Sequence, residues 1–347
     1  DKGSTELYFI KELKELLLKA NIKSDLFFDI SPNPREDEVS VGCKKYKDGS
    51  HDAIIAIGGG SAMDGGKLIC LTANNDIPLR DFEFELTPPK ISKDNPFPKI
   101  ITIPTTAGTG AETEITAMVT YLKEGMKFCM WHPDARPVLA LVDPELTLGL
   151  PPSLTAWTGV DAMVHAIEGY CVPGFNPLCD GSAIESLSLI SKSLYLAVEE
   201  PKNLVARGGM HVGSYLGGVA FLKGLGLVHA ISHMVGAEFN TQHGLTNAII
   251  LPVVLRYNLS GMDEKVKRMS EAMQFEDHSI EAFITNIEKM LDRLNIPKSL
   301  SEIGVPEDCV ERIAKKAMKD QAFATNPKIA TLEEVKEMTL ASIKKAR

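Results

Sequence analysis

The chain has 347 residues, 44% of them hydrophobic and 24% charged, and carries a formal net charge of −9. That length allows two domains or one large one, with the composition of an ordinary globular protein. The acidic excess argues against nucleic acid or an anionic membrane as partner, and no apolar run reaches the length of a membrane span.

The six cysteines (Cys43, Cys70, Cys129, Cys171, Cys179, Cys309) are scattered without a CxxC. They read as the reduced thiols of a cytoplasmic protein rather than a disulfide frame, and nothing reads as a signal peptide.

In chain order, the apolar spacing of Leu7, Ile10, Leu13, Leu16 and Leu17 predicts an amphipathic helix from Ser4 to Ala20. A short strand is expected at Leu26–Phe28, then a turn at Ser31-Pro32-Asn33-Pro34 and a helix from Glu36 to Tyr46. Ala53-Ile54-Ile55-Ala56-Ile57 reads as a strand buried on both faces of a parallel sheet. It runs into Gly58-Gly59-Gly60-Ser61, with Asp64 and Lys67 beyond. Strand, glycine turn and helix together let main-chain N–H groups cradle a phosphate. After a proline-rich linker, Ile100–Ile103 is a second strand, delivering Pro104-Thr105-Thr106-Ala107-Gly108-Thr109-Gly110 at its C-terminal end. Ligands bind at that end of open α/β sheets. Met118–Tyr121, Lys127–Trp131 and Val138–Val142 are further strand candidates. From Pro152 onward the pattern is helical almost throughout, with a loop at Asp320–Pro327 and a last helix capped by Thr331. The expected boundary near Gly149 separates an α/β domain, 1–149, from a helical domain, 150–347.

Histidines mark the chemistry. Asp161 and His165 stand four apart on an apolar helical segment, so both can face one ion. His229 and His233 repeat that spacing on a second apolar segment, and His243 follows in a more polar turn. Imidazole and carboxylate together suit zinc, iron or manganese without any cysteine. A zinc-protease reading of His229-x-x-x-His233 needs a Glu after the first His, and Ala230 stands there. The candidates outnumber four ligands, which leaves one histidine free to act on substrate.

Taken together these stretches resemble the iron-dependent (group III) alcohol dehydrogenases of the lactaldehyde reductase and propanediol dehydrogenase type. The resemblance rests on Gly58–Ser61 with Asp64 and Lys67, on Pro104–Thr109, on Asp143-Pro144-Glu145-Leu146-Thr147, on Gly159-Val160-Asp161 with His165 and Glu168, and on Gly224–His229 with His233, His243-Gly244 and Asn247. It implies a Rossmann-like α/β dinucleotide-binding domain followed by an all-α domain, an architecture similar to that of dehydroquinate synthase. It implies a metal held by Asp161, His165, His229 and His243, with His233 as the second active-site histidine. Cofactor contacts are implied at Asn33, Gly59, Gly60, Ser61, Asp64, Thr105, Thr106, Thr109, Lys127 and Thr147.

The expected activity is metal-dependent, NAD(P)-linked interconversion of a primary alcohol or diol and its aldehyde, with Fe(2+), or Zn(2+), as the ion, in a homo-oligomer such as a dimer. The chain starts where the family closes an early strand, so the opening βαβ portion is expected to precede it. Asp1 is then expected at the adenosine ribose. Its carboxylate ~4 Å from the extra phosphate of NADP would be repelled by about 4 kcal/mol at an effective dielectric of ~20, which favours NAD over NADP. Met234-Val235, Gln242, Trp157 and Lys223 depart from the family's usual residues and bear on the substrate. The rival readings are a lyase similar to dehydroquinate synthase, which would want several Lys and Arg around an acidic substrate, and a catalytically inert relative.

Overall fold

A computed structural model describes residues 4–347; Asp1 lies outside the described residues. The chain divides into two compact units, one running up to Thr105 and resuming over Ala111–Leu146, the other made of Thr106–Gly110 and Thr147–Arg347.

The first unit is α/β. Its helices are α1 (Tyr8–Lys19), α2 (Glu36–Asp48) and α3 (Gly60–Ala73), and its strands are β1 (Ala53–Gly58), β2 (Lys99–Pro104), β3 (Thr116–Tyr121), β4 (Met126–Trp131) and β5 (Leu139–Ala140). β1, β2 and β5 form a parallel sheet in that order, while β3 and β4 pair antiparallel as a hairpin. Met63, Leu68, Cys70 and Leu71 of α3 are fully buried in a core shared with Ile100, Val119, Met130 and Phe82.

Three expectations change here. Leu26–Phe28 forms no strand, because no backbone among the described residues pairs with it; instead the Leu26 carbonyl accepts a bond from Lys45 Nζ (2.6 Å). β1 is not buried on both faces. It stands at the edge of its sheet, and beside it runs an apolar hollow of about 260 Å³ lined by Leu13, Leu17, Phe27, Ile54 and Ile69. The strand expected over Val138–Val142 shrinks to Leu139–Ala140, since only Ile101 and Thr102 are registered against it.

The second unit is all helix: α4 (Pro152–Cys171), α5 (Pro177–Glu199), α6 (Leu204–Ala220), α7 (Leu227–Phe239), α8 (His243–Asn258), α9 (Asp263–Ala272), α10 (Ile280–Arg293), α11 (Val310–Ala317), the single turn α12 (Gln321–Ala324) and α13 (Leu332–Lys344). α12 lies in the stretch expected to be a loop, started by the Asp320 side chain, which accepts from the Ala322 N–H (2.8 Å). Thr331 caps α13 in a reciprocal box with Glu334, as its position before an apolar-periodic run predicts. α4 and α7 are buried nearly all round, as helices of a large core are, and α4, α7 and α8 pack together. Among the described residues no single helix is long and apolar enough to cross a membrane.

Candidate active site

In the helical unit four side chains from three helices converge. Asp161 and His165 sit one turn apart on the same face of α4, His229 lies in the first turn of α7, and His243 opens α8. The polar turn expected around His243 is thus a helix start. Gln242 caps it, accepting from the Leu245 N–H (2.6 Å). One ligand atom from each of the four lies within 4.8 Å of the others. Asp161 Oδ1 is 3.9 Å from Nε2 of His165, 3.9 Å from Nε2 of His229 and 3.6 Å from Nε2 of His243. Two ligands ~2.1 Å from a tetrahedral ion are roughly 3.4 Å apart, so these spacings leave room for one ion between them.

The groups behind the ligands fix which nitrogen faces inward. His165 Nδ1 is 3.2 Å from the Gly108 carbonyl, and His229 Nδ1 is 2.7 Å from Glu168 Oε2. Each pairing holds the proton on Nδ1 and leaves Nε2 as a lone-pair donor. Burial pushes the His165 imidazole down to about 4, which keeps it neutral, as a ligand must be. Glu168 also accepts from the Gly226 and Val228 N–H groups (3.0 and 2.8 Å), so one carboxylate both orients His229 and starts α7. The Phe221 ring packs against His165, with centroids 4.8 Å apart.

The donor set fits a divalent cation. Asp161 and Glu168 are both buried, and among the described residues no lysine or arginine is paired with either. Two buried carboxylates without a cation are unfavourable, and a doubly charged ion offsets both. Asn247 places a donor inside the cluster. Its Nδ2 is 2.7 Å from Asp161 Oδ1 and within 3.2 Å of Nε2 of His229 and of His243, while its own Oδ1 is buried without a hydrogen-bond partner.

His233 stands apart from this set. One turn beyond His229 on α7, it stacks on His243 with centroids 5.5 Å apart, but its Nδ1 is held by Asp320 Oδ2 (2.9 Å). Asp320 carries no spacing signal that ties it to His233, because the two are 87 residues apart. Glu168 is different: it falls three residues after His165 on α4, on the face that carries the ligands. Two departures from the family's usual residues acquire local roles. Gln242 is the cap of α8, and the nearly buried Lys223 is paired with Asp180 (2.6 Å).

The first unit holds the phosphate-loop candidates. Gly58 ends β1 at φ +145°, a conformation that favours glycine, and Gly59 stands before α3 with no side chain capping that helix. Ser61 Oγ donates to the Pro32 carbonyl, which draws the turn bearing Asn33 to the start of α3. Thr105 N–H donates to the Gly58 carbonyl (2.8 Å), so the ends of β1 and β2 lie side by side. Asp64 lies in the second turn of α3, its carboxyl pushed up to about 6 by burial against the pull of Lys67 and Lys127. Glu114, which accepts from Thr116 Oγ1 (2.6 Å), is pushed up to about 8 by the same cause. Thr106, Thr109 and the buried Thr147 belong to the helical unit.

With this geometry in place, comparison with known proteins decides the family. Residues 1–144 match the model of iron-containing alcohol dehydrogenases, and residues 155–343 match the C-terminal model of the Fe-containing alcohol dehydrogenase family. The chain belongs to the iron-containing alcohol dehydrogenase family. It is 33% identical to an NAD-dependent methanol dehydrogenase of Bacillus methanolicus over 94% of this chain and 87% of the relative. It is 34% identical to a lactaldehyde reductase of Escherichia coli strain K12 over 97% of this chain and 89% of the relative. A solved structure of a 1,3-propanediol oxidoreductase superposes with a TM-score of 0.93 at 32% identity, covering 99% of this chain and 90% of that one. An iron-containing alcohol dehydrogenase architecture, a Rossmann-like unit followed by a helical one, is what the two units display, and these relatives give no support to the lyase reading.

Proposed function

We propose that this alcohol dehydrogenase interconverts a small primary alcohol or diol and its aldehyde with NAD, using Fe(2+) held by Asp161, His165, His229 and His243. The observation that carries the reading is the meeting of these four donors with Nδ1 of His165 and His229 already engaged. When bound, the ion supplies a Lewis acid that lowers the pKa of an alcohol, and the nicotinamide supplies the redox couple. With three neutral imidazoles and one carboxylate, the ligand shell contributes a single negative charge and leaves the centre net positive toward an oxygen anion. His233, held at Nδ1 by Asp320, keeps Nε2 available to take a proton from substrate or return it. Glu168 and the Gly108 carbonyl orient the ligands and touch no reacting atom.

The uncapped start of α3 and the hydroxyl-bearing loop after β2 support a dinucleotide pyrophosphate at Gly59, Gly60, Ser61 and Thr105, with Asn33 beside them. Asp64, Lys127, Thr106, Thr109 and Thr147 complete the proposed cofactor set. The preference for NAD over NADP is argued from the charge of Asp1, in line with the cofactor named for the methanol dehydrogenase relative. Iron over zinc follows the family; the donor set accepts either. Six free cysteines fit a reducing, cytoplasmic setting, and we place the protein there as a homo-oligomer acting on small molecules rather than on nucleic acid or membrane.

The test is absorbance at 340 nm with a panel of primary alcohols and diols, on protein reconstituted without oxygen with Fe(2+) or Zn(2+), using NAD and NADP in parallel. NADH should form with at least one alcohol in the iron-loaded protein. No turnover with any metal and alcohol would sink the activity, and faster turnover with NADP would sink the cofactor assignment.

A further inference from the structure

Asn247 is fully buried, and its amide is held by one end only. It stands four residues after His243 on α8, so it shares the face that carries that ligand. Nδ2 donates to Asp161 Oδ1 (2.7 Å) and lies 3.1 Å from Nε2 of His229 and 3.2 Å from Nε2 of His243. A single N–H2 group therefore engages three of the four ligand atoms. Oδ1, at the other end, has no hydrogen-bond partner among the described residues. Buried polar atoms are nearly always paired, and one that is not calls for an explanation, an ion among them.

An ion and this N–H2 group compete for the same lone pairs. Once Asp161, His229 and His243 direct them at a divalent cation, Nδ2 keeps no acceptor but Asp161, and its hydrogens face a positive charge. Turning the amide over about its last torsion puts Oδ1 in its place, a neutral oxygen donor of the kind divalent ions accept. The two ends of an amide are nearly alike in size, and that torsion has broad wells, so the exchange needs no repacking around the side chain. One end goes unpaired in either pose. That penalty cancels, and the attraction of the oxygen for the ion decides. The main chain takes no part, because α8 is pinned to α4 at Gly244, where a Cβ would lie 2.4 Å from the Trp157 carbonyl oxygen.

We infer that Asn247 is a fifth donor to the ion: its amide turns over on binding, Oδ1 joins Asp161, His165, His229 and His243, and this sets the preference for iron over zinc. The inference rests on the four-residue site proposed above. Zn(2+) is satisfied by four donors, and catalytic zinc takes three from the protein so that a substrate oxygen can be the fourth. Fe(2+) accepts more donors and still keeps an open position. A neutral amide adds no charge, so the centre stays net positive toward an oxygen anion.

The test uses Co(2+), whose visible bands weaken steeply as its donors rise from four to six. Beside it runs competition between Fe(2+) and Zn(2+) in oxygen-free equilibrium dialysis, read by elemental analysis. The parent is compared with Asn247→Leu, which neither donates nor accepts, and with Asn247→Asp, which accepts but cannot donate when ionised. The parent and Asn247→Asp should give weak Co(2+) bands. Asn247→Leu should give bands several-fold stronger, and its preference for Fe(2+) over Zn(2+) should fall by about 10-fold or more. A brace that acts on Asp161 through Nδ2 alone would be lost equally in both variants, so identical behaviour of the two overturns the proposal. So does a strong four-donor Co(2+) spectrum in the parent, a measurement that needs no variant to fold. A parent that binds none of the three metals would overturn the four-residue site, and this inference with it.

Discussion

His243 and His233 stack on each other but have different expected roles, and single substitutions separate them. His243→Ala removes one of four ligands, and tightly bound metal should fall by more than the ~10–100-fold typical of losing a group behind a ligand. His233→Ala leaves all four ligands in place, so metal content by elemental analysis should stay at the parent level while turnover is lost. Full occupancy in His243→Ala would remove it from the ligand set, and metal loss in His233→Ala would add His233 to it. Asp161 and His165 were legible as a pair because the i, i+4 spacing on α4 survives folding unchanged, whereas the choice of His229 and His243 over His233 as their companions came from the family resemblance. The partner of His233 was not legible, because Asp320 reaches it from a single-turn helix 87 residues away, and no local periodicity encodes such a meeting.

Among the elements, the junction of α4 and α8 is the tightest part of the site. A Cβ on Gly244 would lie 2.4 Å from the Trp157 carbonyl oxygen and 3.1 Å from Asp161 Cβ. The contact is with backbone, which cannot swing aside, so Gly244→Ala should push the start of α8, and His243 with it, away from α4. We expect a loss of about 1–3 kcal/mol in stability by thermal or urea unfolding, together with weaker metal binding. A variant with parent stability and metal content would show that α8 can shift freely.

Helix α13 was readable from its Thr331 cap and apolar spacing, whereas the first eight residues of α5 (from Pro177) carry no such spacing and were not. The strands were less so. A run such as Leu26-Phe27-Phe28 has strand composition, but a strand exists only where a second backbone stands in register, and among the described residues none does so there. The same dependence shortens β5 to the two residues registered against β2.

At the scale of the whole molecule, metal and pH should both set stability. A ligand that binds only the folded chain at ~100 times its Kd contributes about 2.7 kcal/mol. For a unit of this size, stripping the metal with a chelator should therefore lower Tm by about 5–10 °C, and adding Fe(2+) or Zn(2+) should restore it. The pH effect comes from the first unit. Glu114 has an ordinary value of 4.5 but is raised to about 8 by burial, and Asp64 is raised from 3.8 to about 6. Between those limits the folded chain holds protons that the unfolded chain has released. This contribution to stability is therefore full below about pH 4 and is lost as pH rises through neutrality to about 8, while the lowered His165 acts in the opposite direction below about pH 6.5. Differential scanning calorimetry from pH 5 to 8 should show Tm declining from this source, and Glu114→Gln should flatten the decline. An equal slope in that variant would place the effect elsewhere.

The shared duty of Glu168 also orders events in time. The same carboxylate that receives two N–H groups at the start of α7 also turns His229. His229 therefore has no fixed orientation until α7 has docked on α4. Capture of the ion is then the closing step of assembly rather than its seed, unlike a zinc finger, in which the metal drives folding. Chain refolded without metal should regain its native circular dichroism first. Metal added afterwards should bind in a single fast phase whose rate is independent of how long refolding has run.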